Sequence, residues 1–409
     1  MTTLPEEVDA LIIGGGPAGL AAAIVLARAG VHTLLCEKGS FPIDKACGEG
    51  VMPTGWSHLQ ALGVAHLLDE QNCTSIAGIR YVSPSGRVAA APFAEGPGRG
   101  IRRTALSAAL WQATGALPAL RIEQQTAAEP LDRVDGGVLV RAGRRRVRAR
   151  LLVGADGRHS RVRRWAGLDG RPARRQRWGV RRHVRLRPWN DTVDVHWSNE
   201  GVEAYVTPCG GEQVNVAFLW DKARCRRVRG GEGLFPSLLS AFPHLQARLN
   251  GADPLSAVRA VGPLAQPARR TVADNVLLVG DAAGYLDAIT GEGISLALAA
   301  ALSLEETVAP LLRRGKAPLA SELTVYERRH RALYRPYHQL TTLVLWLSRF
   351  PRLAEWAVRA LEQEPVAFQH LLSANMGLAS PWAPAVWTRM LRGLGVAVRH
   401  SASAGAAAS

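Results

Sequence analysis

The chain has 409 residues, 47% hydrophobic and 21% charged, which is room for two globular domains and excludes a disordered or fibrous chain. Its formal net charge of +16 comes almost wholly from arginine. Such a surface attracts anionic ligands, but no recognition motif or basic-aromatic array accompanies it, so nucleic acid is not an expected partner.

Val8 to Ile13 is a short apolar run ending in glycines. Pro17 to Ala29 follows as an Ala- and Leu-rich helix, and Val31 to Glu37 as a second strand. Together they make one β-α-β unit of a parallel sheet. Gly48 to Leu68 mixes loop and helix, and Ser75 to Ala91 reads as strands around a turn at Ser83 to Gly86. Thr104 to Thr114 is helical. Val138 to Ala142 and Arg146 to Val153 form a strand pair around Gly143.

The pattern changes at Trp178. Gly179 to Leu186, Thr192 to Trp197, Val202 to Thr207 and Gln213 to Trp220 are four short strands about 8–12 residues apart, the signature of an antiparallel sheet. A buried parallel strand returns at Val272 to Val279, and a long helix starts near Gly293. Glu322 to Leu394 is mostly helical, interrupted by Pro336, Pro351, Pro365, Pro381 and Pro384. The expected division is a discontinuous nucleotide-binding domain (1–75, 100–177, 265–325), a substrate-binding domain (76–99, 178–264), a C-terminal helical region (326–400) and a disordered tail (401–409).

Cys36, Cys47, Cys73, Cys209 and Cys225 form no CxxC pair, so neither a metal site nor a disulfide framework is expected, and reduced thiols suit a cytoplasmic protein. The acidic start lacks the basic residues of a signal peptide. The longest candidate membrane run, Leu340 to Leu347, is too short to span a bilayer, although peripheral contact stays open. A monomer or weak dimer is expected.

Gly14-Gly-Gly16-Pro17-Ala18-Gly19 matches GxGxxG at a strand end and a helix start. Gly14 permits the tight turn, Gly16 the approach of a pyrophosphate, and Gly19 close helix packing; the free N–H groups of the helix start then face the diphosphate. Glu37, closing the second strand, stands where a carboxylate accepts from an adenosine ribose. This fits FAD or NAD. Two further segments favour FAD: Leu151-Leu-Val-Gly-Ala-Asp156-Gly157, and Val279-Gly280-Asp281, whose carboxylate at a strand end can bind ribityl hydroxyls. Thr290-Gly291-Glu-Gly293-Ile294 then opens a helix whose N-terminus can stabilise negative charge on a reduced flavin ring.

In this order the segments resemble the group A flavoprotein monooxygenases and the geranylgeranyl reductase-like flavoproteins, which share the p-hydroxybenzoate hydroxylase fold. The resemblance implies an α/β protein: a Rossmann-type FAD-binding domain with an inserted antiparallel sheet and C-terminal helices. It implies that Gly14, Gly16, Gly19, Glu37, Arg103 and Asp281 bind FAD, and that Asp156 and Gly157 serve a motif shared between FAD and NAD(P)H. It also implies that the loop Phe41-Pro-Ile-Asp-Lys45-Ala-Cys47-Gly48-Glu49-Gly50 covers the flavin, with Lys45 near the pyrophosphate or the ring and Cys47 in the substrate tunnel. Pro17, Ala18, Lys38, Gly48, Gly280, Gly291, Gly293 and Ile294 complete the expected cofactor set.

The resemblance implies chemistry in which NADPH or NADH reduces the flavin and dioxygen adds to give a 4a-hydroperoxide that oxidises an electron-rich substrate. The Trp and Phe of the reductases' Tyr-x-Trp-x-Phe-Pro stretch are missing at Tyr205-Val-Thr-Pro208, and the Trp-x-Trp-x-Ile-Pro motif and catalytic lysine of tryptophan halogenases are absent. Monooxygenation is therefore expected, and the mostly apolar strand positions, with Leu343, Leu345, Trp346, Leu347 and Phe350 of the C-terminal helices, point to a bulky apolar natural product as the substrate. Reduction of C=C bonds is the alternative, and a non-catalytic prenyl-binding escort is the alternative of another class. His196 and Tyr205 are the candidates for a polar orienting or acid-base role. Which parity of each substrate-domain strand faces the ligand cannot be read from alternation alone.

Overall fold

A computed structural model of the chain describes residues 4–174, 176–225 and 233–392. Glu7–Ile13 lies in the middle of one sheet, parallel to Arg145–Gly154 on one side and to Thr33–Cys36 on the other. Its apolar residues are buried because layers cover both faces. Helix Pro17–Arg28 buries ten of its twelve residues and packs against helix Gly293–Leu302, whose small side chains allow close approach. Three strands from the interior of the sequence extend this sheet, Leu120–Glu123 at one edge and the ribbon of Ala128–Val134 with Gly137–Ala142.

The strand expected at 272–279 is two pieces. Val272–Ala273 and Val276–Leu278 pair antiparallel across a turn at Asn275, which takes φ 59° and anchors its side-chain amide on the Pro318 carbonyl. Only Val276–Leu278 runs parallel to Arg145–Gly154.

The second sheet runs Asp253–Pro254, Arg177–Arg185, Gln213–Asp221, Val202–Pro208, Thr192–Trp197, Gly78–Val82 and Val88–Pro92, with Arg259–Val261 also pairing Arg177–Arg185. The four expected strands are adjacent and antiparallel. The expectation fails at one pair: Thr192–Trp197 is parallel to Gly78–Val82, because the chain between them returns through the first sheet. Arg177 ties the two layers together. It donates to Glu203 in two hydrogen bonds of 3.1 and 2.5 Å and brings its Nε within 3.0 Å of Asp287. A small third sheet joins Gly50–Val51, Gly98–Ile101 and Cys73–Ile76.

Pro336 does not interrupt the C-terminal helices; it lies inside the 24-residue helix Thr324–Leu347. A mid-helix proline loses one hydrogen bond, but here Tyr326, Tyr334, Tyr337 and Leu340 bury the helix on the core around it. Pro351 and Pro365 instead open helices Pro351–Gln363 and Pro365–Asn375, where the missing N–H costs nothing. The expected disordered tail lies outside the described residues.

Gly293–Leu312 is longer than the run singled out in the sequence and is long and apolar enough to cross a membrane, but 56% of its most apolar 18-residue stretch is buried in the core. It is built as three short helices.

Candidate functional site

The glycine turn is shaped by close contacts. Gly14 takes φ 109°, and a Cβ there would stand 2.4 Å from the Ala155 carbonyl oxygen; a Cβ on Gly19 would stand 1.9 Å from the Gly14 oxygen. A Cβ on Gly16 meets nothing within 4 Å among the described residues, so this glycine borders open space. Gly16 caps helix Pro17–Arg28, with Pro17 in the first turn. Glu37 accepts the Gly15 N–H at 2.7 Å and the Gly39 N–H at 2.8 Å, so the carboxylate that ends the second strand also fixes the turn. Lys38 is exposed and does not line the cavity described next.

A cavity of about 1590 Å³, part of it open to solvent, runs from this turn to the second sheet. Of the expected cofactor residues, Gly16, Pro17, Ala18, Lys45, Cys47, Gly48, Arg103, Gly157, Gly280, Asp281, Gly291, Gly293 and Ile294 line it. Asp156 does not. Its Oδ2 accepts the Arg161 and Val162 N–H groups at the start of helix Arg161–Trp165, whose N-cap is Ser160. Burial lowers the Lys45 pKa against the opposing pull of Asp281, and burial raises the Cys47 thiol.

The residues fit a flavin dinucleotide. Arg103 is buried, its Nη1 has no hydrogen-bond partner, and burial pulls its pKa down. Arg158, which the sequence reading did not select, is also buried in the cavity wall, with Nε unpartnered and 3.9 Å from Asp281. Buried guanidinium donors left unsatisfied call for an anion. Beside them lie the open space at Gly16, the free N–H groups of a helix start and a carboxylate at Asp281, which together suit diphosphate and polyol.

The structure settles the strand parity. Tyr81, Val195, Tyr205, Ala217 and Arg181 are cross-strand neighbours on the cavity face, and all five line the cavity. Asp194 and His196 face away. His196 meets Phe242 edge-on, ring centroids 6.4 Å apart. Burial lowers its pKa to about 4, and its Nε2 has no partner. The expectation of a site role for His196 is thereby corrected: it belongs to the core behind the sheet. Tyr205 does face the cavity, but its hydroxyl donates to the Ile289 carbonyl at 3.1 Å and burial raises its pKa well above the ordinary value. The hydroxyl is committed to a wall contact.

Asn215 and His183, cross-strand neighbours on the same face, hold the loop over the cavity. Asn215 Nδ2 donates to the Cys47 carbonyl at 2.8 Å. His183 Nε2 lies 2.6 Å from Glu49 Oε2, both side chains 1% exposed. Glu49 lines the cavity and takes φ 63°, rare for a side-chain-bearing residue. Its Oε1 accepts the Arg103 N–H at 2.8 Å, and the Cys209 thiol donates to its Oε2. His183 Nδ1 meets Ser256 Oγ at 2.9 Å and Arg181 Nη1 at 3.2 Å. Arginine can only donate, so Nδ1 accepts and Nε2 carries the proton toward Glu49. Arg181 in turn pairs with Asp44. Glu49 lies inside the Phe41–Gly50 motif with no role marked by the sequence, and His183 carries no motif; its one signal is a histidine two positions from Arg181 in an otherwise apolar and basic strand.

A family model described as an FAD binding domain matches residues 7–336. A digeranylgeranylglycerophospholipid reductase of Methanothermobacter thermautotrophicus is 29% identical over 80% of this chain and 83% of its own. A menaquinone reductase of Mycolicibacterium smegmatis is 46% identical over 63 residues, an alignment that spans only 15% of either chain. Among solved structures, a flavoprotein/dehydrogenase of Cytophaga hutchinsonii superposes with TM-score 0.80 at 19% identity, covering 92% of this chain and 94% of that one. Halogenase PltM in complex with phloroglucinol and FAD gives 0.75 at 17% identity, covering 97% and 92%.

Proposed function

The chain belongs to the FAD binding domain family of group A flavoproteins, and from that premise we propose that it is an NAD(P)H-using monooxygenase acting on a bulky, mostly apolar substrate. The observation that carries the substrate class is the sorted face of the second sheet. Toward the cavity it presents Ile79, Tyr81, Val193, Val195 and Leu219, while its one cavity-lining arginine, Arg181, is neutralised by Asp44. An anionic substrate would want a free cation there; an apolar one gains from these walls.

In this reading the turn at Gly14–Gly19 and the start of its helix hold the diphosphate, with Arg103 and Arg158 as the buried cationic donors. Glu37 would receive the adenosine ribose and Asp281 the ribityl chain, and the helix start at Gly293 would offer its positive dipole to the ring. A bound flavin would supply hydride acceptance from NADH or NADPH and the activation of dioxygen, of which one atom would go to the substrate and the other to water. The chain itself excludes water with the apolar sheet face and positions the substrate against it. Glu49 and His183 hold a proton between Oε2 and Nε2 at the cavity wall, and Ser256, half-buried, connects His183 Nδ1 toward the surface. Product mass spectrometry under labelled dioxygen tests the proposal: one labelled atom in the product is expected, and an unlabelled product refutes it.

A second reading has its own support, the two relatives whose names are reductases, one aligned along most of the chain. It predicts oxygen-independent saturation of an isoprenoid double bond under anaerobic conditions. The escort reading predicts a purified protein without flavin absorbance.

A further inference from the structure

Twelve large hydrophobic side chains are exposed among the described residues, and eight of them fall between residues 346 and 391. Four cluster in sequence at the corner where helix Thr324–Leu347 hands over to helix Pro351–Gln363: Trp346, Phe350, Leu353 and Trp356, each 41–47% exposed. The Trp346 and Phe350 rings touch, with centroids 5.4 Å apart. Arg349 and Arg352 stand between them and Arg359 follows one helical turn after Trp356. The acids of the same stretch are already committed: Glu355 and Glu362 pair with Arg87, and Glu364 with Arg389. Arg349, Arg352 and Arg359 have no acidic partner among the described residues. The corner therefore offers aromatic rings and uncompensated positive charge together, on a chain whose net charge is +16.

We propose that this corner docks on an anionic lipid bilayer. Tryptophan favours the headgroup level of a membrane, where its ring is buried and its N–H stays wet, and arginine stems reach the phosphates from the same depth. Positive charge near an anionic leaflet adds attraction that a neutral surface lacks. The corner also adjoins the cavity. Val344 and Leu345, immediately before Trp346, pack on Leu219, Leu264 and Ile289, which wall the cavity. A docked enzyme would thus hold the covering helix of its cavity against the bilayer. The proposal stands whichever reaction the flavin site performs.

The test uses the full FAD-loaded chain, sedimented with vesicles of phosphatidylcholine alone and of phosphatidylcholine mixed with phosphatidylglycerol. Binding to the anionic vesicles, weakened by salt, is expected. Brominated lipid should quench part of the tryptophan emission. Replacing Trp346, Phe350 and Trp356 together by Ser should cut binding roughly tenfold or more, with flavin content unchanged. Should the triple variant fold poorly, Trp356→Ser alone decides by its loss of quenching. Arg349→Gln with Arg352→Gln and Arg359→Gln should erase the preference for the anionic vesicles. Absence of binding to anionic vesicles, or equal binding by the variants, overturns the proposal. So does concentration-dependent dimerisation abolished by the same aromatic substitutions, which would make the corner a contact between copies.

Discussion

Glu49 and His183, 134 residues apart in sequence, meet at 2.6 Å in the cavity wall with almost no exposure. Removing one member of such a pair leaves the other buried and unsatisfied, which costs about 3–5 kcal/mol. His183→Ala should lower the urea-unfolding free energy of the FAD-loaded protein by that amount. Glu49→Gln keeps one acceptor, for either the Arg103 N–H or the His183 Nε2–H, and sets its NH2 against the other donor, so it should cost less than His183→Ala but not nothing. Equal losses for the two variants would show that the pair is not the source of the energy.

Gly16 and Gly19 should separate cofactor affinity from folding. Gly16→Val adds atoms only to open space among the described residues, so the protein should fold and lose its yellow colour, FAD affinity dropping by about 1.4 kcal/mol or more, tenfold in Kd. Gly19→Ala drives a methyl onto the Gly14 oxygen and should reduce the folded fraction itself. Circular dichroism and flavin absorbance of the two variants check this; full flavin retention by the Gly16 variant would remove the turn from the site.

Glu292, buried beside Asn375, has its pKa raised to about 8 by burial. The unfolded chain ionises this group near its ordinary value, 4.5, while the folded chain keeps the proton. Stability contributed by the neutral form is therefore full below about pH 4.5 and declines as pH rises to about 8. Glu292→Gln should be as stable as the parent at pH 5 and more stable at pH 8.5, by a few kcal/mol at most, roughly 1.4 per pKa unit. Thermal melts at the two pH values decide; a benefit confined to the acid side would contradict the assignment.

His196→Leu should leave kcat/KM and FAD content unaltered, because the ring packs behind the sheet against Phe242. Tyr205→Phe removes the hydrogen bond to the Ile289 carbonyl and should weaken binding of apolar ligands by about 0.5–1.5 kcal/mol in flavin-fluorescence titrations. A large loss in the first variant with none in the second would reverse the assignment of the two faces.

The cofactor half was legible because its chemistry is local. Gly14 to Gly19, Glu37 and the Val279 to Asp281 turn each sit in one short segment whose spacing carries the physical reason, and most of the expected residues line one cavity. Asp156 is less legible, because an Asp at a strand end can serve a helix start as readily as a ligand, and here it accepts the first N–H groups of Arg161–Trp165. The substrate half was less legible. Alternation separates Asp194 and His196 from Val193 and Val195 but carries no sign, and only packing against helix Pro351–Gln363, Phe242 and the loop at 44–50 fixes which side is inside. Glu49 with His183 is a contact between distant segments, and no single-sequence pattern marks it. Pro336 was misjudged because propensity ignores the four residues that bury its helix.

The two-residue period of the second sheet divides its positions into two sets with separate duties. Val193, Val195, Tyr205, Ala217 and Leu219 touch the cavity, whereas Val206 and Val216 pack on Phe235, Leu238 and Phe242 behind the sheet and Asp194 accepts the Trp189 indole N–H. Libraries that vary only the first set would remodel ligand preference on an intact scaffold, and the diversity would be spent where a new substrate could register it.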